Sequence, residues 1–291
     1  MTIAGYSQTA EEYFSRGAEK IISQDPKGAI ADFTRAIEID PGYANAYNKR
    51  GAAKDALQDY GGAIVDFTRA IEINPKYAEA YLNRGAARAA LEDNGGAIAD
   101  FTRAIEIDPT YANAYNKRGA TRAALEDNRG AIADFTKAIE INPKDIEAYI
   151  NRGIVRALRQ NDKEAIADFT KAIEIDPGLA VAYNNRGLSK NNLQNYNDAI
   201  ADFDKAIEID PNYSEVFNNR GYAKLYLEDY NGAIADFTKA IEINPKYAEA
   251  YVNRGIAKII SGQKNSGCLD LSKAVQLGYA EAYDEIEEYC K

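Results

Sequence analysis

Residues 44–77 read ANAYNKRGAAKDALQDYGGAIVDFTRAIEINPKY, and this stretch returns with little change through almost the whole chain. Its first half sets Ala46, Tyr47, Gly51, Ala53 and Leu57 at helical spacing along one face, and its second half does the same with Ala63, Ile64, Phe67, Ala70 and Ile71. Asp59 stands between the two runs as a capping residue. Asn74-Pro75 stops the second run, because proline has no amide hydrogen and pushes the residue before it out of helical geometry. The stretch is therefore predicted to be two helices, A then B. Small Gly51 and Ala63 sit where the helices come closest, and Phe67 fills the space between them. No strand-like alternation occurs, so the fold class is all-α.

Outward from this stretch the spacing holds. The pair Arg-Gly recurs eight times at 34-residue intervals, from Arg16-Gly17 and Arg50-Gly51 to Arg254-Gly255. Seven prolines keep the same interval (Pro41, Pro75, Pro109, Pro143, Pro177, Pro211, Pro245), as do seven Asp-Phe pairs from Asp32-Phe33 to Asp236-Phe237, with Asp270-Leu271 as the eighth. A period this strict specifies a stacked repeat array, which grows one unit at a time, has no internal domain boundary and works by binding along an extended surface. The reading is one elongated array: residues 1–9 as an N-terminal extension, eight units (10–43, 44–77, 78–111, 112–145, 146–179, 180–213, 214–247 and 248–279), and a capping helix over 280–291.

The pattern Tyr47, Arg50-Gly51, Lys54, Ala63, Phe67, Ala70, Pro75 resembles the tetratricopeptide repeat over about residues 10–281. Two departures from that family's signature recur in every unit: Arg replaces its Leu, and Lys or Arg (Lys20, Lys54, Arg88, Arg122, Arg156, Lys190, Lys224, Lys258) replaces its Tyr. Asp66 and its equivalents are acidic in all eight units. We read from this a repeated ion pair bridging helices, such as Arg50 with Asp66, with a structural role in place of an anion-binding ladder. Arg152→Ala should then damage folding before binding.

The resemblance implies a right-handed superhelical α-solenoid whose concave wall is made mainly of helix A. Counting each unit from its first residue, the sixth place holds Ser15, Lys49, Asn83, Lys117, Asn151, Asn185, Asn219 and Asn253. The fifth place adds Asn48, Asn116, Asn184 and Asn218. Each amide offers a donor and an acceptor, so a doubled row of them suits the backbone of an extended peptide. On this reading, replacing Asn185 and Asn219 by Ala removes binding and leaves the melting temperature unchanged. The ninth place changes along the chain, from Ala52, Ala86 and Ala120 to Ile154, Leu188, Tyr222 and Ile256. With Leu158, Leu225, Tyr226 and Ile260 it makes units five to eight the apolar, aromatic half of the groove and the expected peptide site. The two-carboxylate clamp of chaperone-tail binders is incomplete here, since the fifth and ninth places hold Asn48 with Ala52, or Leu82 with Ala86.

The remaining features narrow the function classes. A formal charge of -10 argues against nucleic acid or an anionic membrane surface as the main ligand. No apolar run approaches the length of a membrane span, and residues 1–6 resemble no secretory signal. The expected location is cytoplasmic; it becomes periplasmic or secreted if an export signal was trimmed and Cys268 and Cys290 are joined. Those two cysteines read as small buried thiols, with a disulfide as the alternative. With no histidine, no glycine-rich phosphate loop and acidic pairs such as Glu126-Asp127 in turns, no catalytic residue, metal or cofactor is assigned. The reading is a non-enzymatic adaptor for a protein or peptide partner. The alternative is a scaffold that self-assembles through its terminal repeats, where Phe14, Ile21 and Ile22 seal an end, receive residues 1–9 or join another molecule.

Overall fold

The computed structural model describes residues 8–290. Among them are seventeen α-helices and no strand. The helices fall into two compact units, one ending at Pro143 and the other beginning at Lys144. The first holds α1 (Ala10–Ile22), α2 (Pro26–Ile39), α3 (Ala44–Ala56), α4 (Tyr60–Ile73), α5 (Ala78–Ala90), α6 (Asn94–Ile107), α7 (Ala112–Ala124) and α8 (Asn128–Ile141). The second holds α9 (Ile146–Leu158), α10 (Asp162–Ile175), α11 (Ala180–Asn192), α12 (Tyr196–Ile209), α13 (Ser214–Tyr226), α14 (Tyr230–Ile243), α15 (Ala248–Ile260), α16 (Lys264–Gln276) and α17 (Ala282–Tyr289). Odd-numbered helices up to α15 are helix A of a repeat, and even-numbered ones are helix B.

Each A–B pair is closed by local chemistry. Helix A ends with a residue in the left-handed region: Gln58, Glu92, Glu126 and their equivalents in the first seven repeats have φ between 60° and 63°, and Gly262 takes that place in the eighth at 88°. At the end of α5, Asp93 N–H donates to the Arg88 carbonyl at 2.9 Å and Glu92 N–H to the Ala89 carbonyl at 3.0 Å, the paired closure of a Schellman motif. In five of the eight repeats the next residue is an aspartate that caps helix B: Asp59 Oδ1 accepts from Gly62 N–H at 3.0 Å, as read from the sequence. After helix B, the Asn or Asp before each proline folds the link into the next repeat, as where Asn74 Oδ1 accepts from Lys76 N–H at 3.1 Å.

The core is one phenylalanine per repeat, from Phe33 to Phe237, each fully buried beside the glycine of its own helix A. Within each unit every helix B packs on the helix A before it and, where the unit continues, on the helix that follows, and neighbouring helices A also touch, as α3 with α5 and α11 with α13. Helices B make no such approach to one another among the described residues. The A side is thus the inner side of each unit. The fold is an all-α helical-repeat solenoid.

The ends are finished differently. A capping box opens α1, with Thr9 Oγ1 accepting from Glu12 N–H and Glu12 Oε2 from Thr9 N–H. Of the extension assigned to residues 1–9, residues 1–7 lie outside the described residues. Phe14 is used within its own end, its ring 5.6 Å from Phe33 and 5.0 Å from Tyr43, while Ile22 is exposed. At the other end α17 packs Ala282 and Ile286 against Leu271, Ala274 and Val275 of α16. The reading of Cys268 and Cys290 as two separate thiols is corrected: α17 folds back on α16, bringing the Cα atoms to 5.8 Å, and a disulfide joins them.

Candidate functional site

The Arg-Asp pair read from the sequence is present in each repeat. Arg50 Nε and Nη2 donate to Asp66 Oδ2 and Oδ1 at 2.9 and 2.6 Å, and Lys54 adds a contact to Oδ2 at 2.7 Å. The guanidinium also lies over the Tyr47 ring and donates from Nη1 to Thr34 Oγ1 of the preceding repeat. Arg152 with Asp168, and Arg220 with Asp236, repeat the fork. At the first repeat the hydrogen bond from Arg16 holds the Asp32 carboxyl below the usual carboxylate range. These cations are committed within the protein, so they form no basic ladder in the groove.

The two amide rows occupy different environments. The fifth-place side chains Asn48, Asn116, Asn184 and Asn218 are buried. The sixth-place asparagines are half-buried on the A side and reach back to them across 35 residues: Asn83 Nδ2 donates to Asn48 Oδ1 at 3.1 Å, Asn219 to Asn184 at 2.9 Å and Asn253 to Asn218 at 3.0 Å. Asn48 and Asn218 pass the chain on, to the Tyr77 hydroxyl and to Glu249. Burial pushes the Tyr77 hydroxyl up to about 12. The expected doubled surface row is therefore a single row over an interior row that holds neighbouring repeats in register.

Asn185 is the exception in the second unit. The fifth-place residue before it is Ile150, whose side chain has no acceptor to give, and the side-chain amide of Asn185 makes no hydrogen bond among the described residues. The expectation that Asn185 and Asn219 can be replaced alike without structural cost is corrected here. Asn219→Ala strands the Asn184 oxygen, 5 % exposed, and should lower stability by about 1–3 kcal/mol. Asn185→Ala should stay within about 0.5 kcal/mol of the parent. Urea unfolding of the two variants side by side checks this.

Two pockets lie on the A side of the second unit and share the wall made by Leu188 and Asn192. The first, of about 290 Å³, has Ile154, Leu158 and Leu188 as sides, Phe169 and Ser189 deeper, and Asn185 among its lining. Leu158 is 73 % exposed, and Ser189, 1 % exposed, has an Oγ with no partner. The second, of about 300 Å³, is bounded by Asn191, Asn218, Asn219, Tyr222 and Glu249. Beside it the Tyr222 hydroxyl donates to that of Tyr226 at 3.0 Å, and Tyr226 stacks on Tyr196 with ring centres 5.1 Å apart. That hydroxyl contact, with burial behind it, pushes Tyr222 up to about 12.

The first unit differs as the ninth-place residues imply. Its pocket, of about 400 Å³, is walled by Ala86, Ala89, Ala120 and Ala124 with Lys117 at its edge. Lys49 is engaged by Glu79 at 2.9 Å. Asn151 and Lys117 each carry an interaction of their own.

Ser189, Asn191, Asn192 and Glu249 were missed in the sequence. The signal for the middle pair was the Asn-Asn at 191–192 where units three and four carry Ala-Ala. The signal for the register bonds was a pairing within the repeats: sixth-place Asn follows fifth-place Asn one unit earlier at Asn48/Asn83, Asn184/Asn219 and Asn218/Asn253. Sixth-place Lys follows an apolar fifth place at Phe14/Lys49 and Leu82/Lys117.

Comparison with known proteins agrees with this geometry. Models described as tetratricopeptide repeat match residues 180–213, 214–247 and 117–180, and one described as TPR repeat matches 56–92 and 87–126. No curated protein sequence matches significantly. Among solved structures, YrrB, described as a TPR protein with an unusual peptide-binding site, is 27% identical over 63% of this chain and 95% of its own, with a TM-score of 0.56. MamA is 28% identical over 55% of this chain and 94% of its own, at 0.52. A tetratricopeptide repeat protein from Parabacteroides merdae, 20% identical over 86% of this chain and 99% of its own at 0.62, shares the fold. With helix pairs at the matched positions and a core of one aromatic per matched repeat, the chain belongs to the tetratricopeptide repeat family, whose members are typically non-enzymatic protein-interaction scaffolds.

Proposed function

We propose that the protein is an adaptor that holds an extended peptide segment of a partner protein along the A side of its second unit. One observation carries the reading: Asn185 lines an apolar pocket with its amide unused, in a row where Asn219 and Asn253 spend theirs on the preceding repeat. An unused amide offers both a donor and an acceptor to a peptide backbone, and Ile154, Leu158 and Leu188 offer the neighbouring side chain an apolar seat. The likeness to YrrB, itself described as having a peptide-binding site, supports the same reading.

Selection of random dodecapeptides on phage against the whole chain should yield binders. Their affinity should fall about 30-fold or more in an Asn185→Ala, Leu158→Asp double variant, the loss of one hydrogen bond and one apolar seat. Both residues are away from the register bonds, so the melting temperature should hold. Selected peptides that bind parent and variant equally would move the site off this groove. Recovery of the protein's own oligomer alone in sedimentation, with no peptide bound, would favour the self-assembling scaffold.

A further inference from the structure

The second pocket bears on what the peptide must carry, and this step rests on the groove reading above. Asn191 is 8 % exposed, and its Nδ2 faces the Asn219 carbonyl oxygen at 3.5 Å. A carbonyl only accepts, so the amide cannot be turned over, and Oδ1 is left as a buried acceptor with no donor. Glu249, on the same pocket, is exposed and receives one bond, from Asn218 Nδ2 at 3.3 Å, so its carboxylate keeps capacity to accept more. Tyr222 has turned its proton toward Tyr226, which leaves its oxygen as an acceptor too. The pocket is an array of acceptors beside a wall of stacked tyrosine rings.

Its charge is of one sign. The nearby cations are consumed: Arg186 by Asp202 and Thr170, Arg220 by Asp236 and Asp204, and Arg254 by Asp270 and Thr238. Lys190, Lys224 and Lys258 are held by the same three buried aspartates. The charge that remains at the pocket is that of Glu249. A neutral donor would satisfy Asn191 and leave Glu249 unmatched, and an acidic side chain would be repelled. An arginine or lysine satisfies both, and its cation can also lie on the tyrosine faces.

We infer that the peptide held by the second unit carries an aliphatic side chain for the pocket of Ile154, Leu158 and Leu188, and a cationic one, arginine or lysine, for the pocket of Asn191 and Glu249. The spacing follows from the fold. Packed helices stand about 8–10 Å apart, and an extended chain advances about 3.3 Å per residue, so the two side chains are two or three residues apart.

The test uses fluorescein-labelled ten-residue Gly/Ser peptides carrying Leu and a second residue, Arg, Gln or Glu, two or three positions away in either order, titrated with the whole chain by anisotropy. In at least one arrangement the Arg peptide should bind about 10-fold or more tightly than its Gln and Glu counterparts. That preference should shrink below about 3-fold in Glu249→Gln, which keeps the acceptor for Asn218, and also in Asn191→Leu, each with parental helicity by circular dichroism. Arg, Gln and Glu peptides bound within about 3-fold of one another would overturn the cationic inference and leave the groove reading standing. The same inference falls if none of these peptides binds while phage-selected sequences without a basic residue do. Failure of every peptide, selected ones included, would overturn the groove reading itself.

Discussion

Asp100→Ala is expected to destabilise the first unit by about 3–5 kcal/mol, the cost of leaving a buried pair half made. The carboxylate is 3 % exposed and is held by Arg84 at 2.9 and 2.7 Å and by Arg88 at 2.9 Å. Removing it strands two guanidinium groups. Arg84 also donates to Thr68 of the preceding repeat, so the loss reaches one A–B pair and one boundary between repeats. In a stacked array, stability is close to a sum of repeat terms and neighbour terms, so the damage should be local first. Hydrogen exchange should therefore show α5 and α6 losing protection before α1 and α2, and the urea transition should broaden or divide. A single sharp transition at the parental midpoint would mean that the ladder contributes little.

Phe203→Ala should cost a comparable amount, about 3–5 kcal/mol, by opening a cavity at the centre of the sixth repeat. The ring is fully buried among Ala199, Ala206 and Val216, and it fits because the facing residue is Gly187. A Cβ on Gly187 would stand 2.6 Å from Phe203 Cε1. Gly187→Ala alone should thus also destabilise, by about 1–3 kcal/mol through overpacking. The eighth repeat shows what a smaller core requires. Leu271 replaces the phenylalanine there, and Gly267 stands where the other seven repeats have alanine. The helices close in so far that a Cβ on Gly267 would meet the Gly255 carbonyl oxygen at 2.5 Å. Phe203→Ala without the matching glycine cannot draw the helices together in this way. Equilibrium unfolding in urea measures the loss, and a cost below about 1 kcal/mol would show that the repeat collapses around the gap.

Much of the candidate site was legible in outline. The turn from Ala120 to Ile154 at the ninth place marked the second unit as the apolar half, and the pockets there follow that change. The fifth-place asparagines were misjudged because their chemistry is the same whether they face a ligand or the next repeat. Burial decided the matter, and burial at Asn48 and Asn184 depends on a helix 35 residues further on. Asn191 escaped notice for the same reason, since an asparagine in a polar helix is unremarked until its oxygen is seen to have no partner.

By itself the sequence determined the repeat: two helices per 34 residues, the prolines that end them, the phenylalanine–glycine contact and the Arg-Asp pair. All of these join residues within one repeat, at most 16 apart for the ion pair, where helical periodicity and turn chemistry leave few arrangements open. Tertiary structure alone decided which amides are spent and which are available. It also decided that α17 returns to α16 so that Cys268 and Cys290 join, and that the A side of the second unit opens into two pockets. The reason is that a side chain's availability depends on the partner offered by the next repeat. Ile150 in place of an asparagine leaves Asn185 unpaired without changing anything in the repeat that contains it.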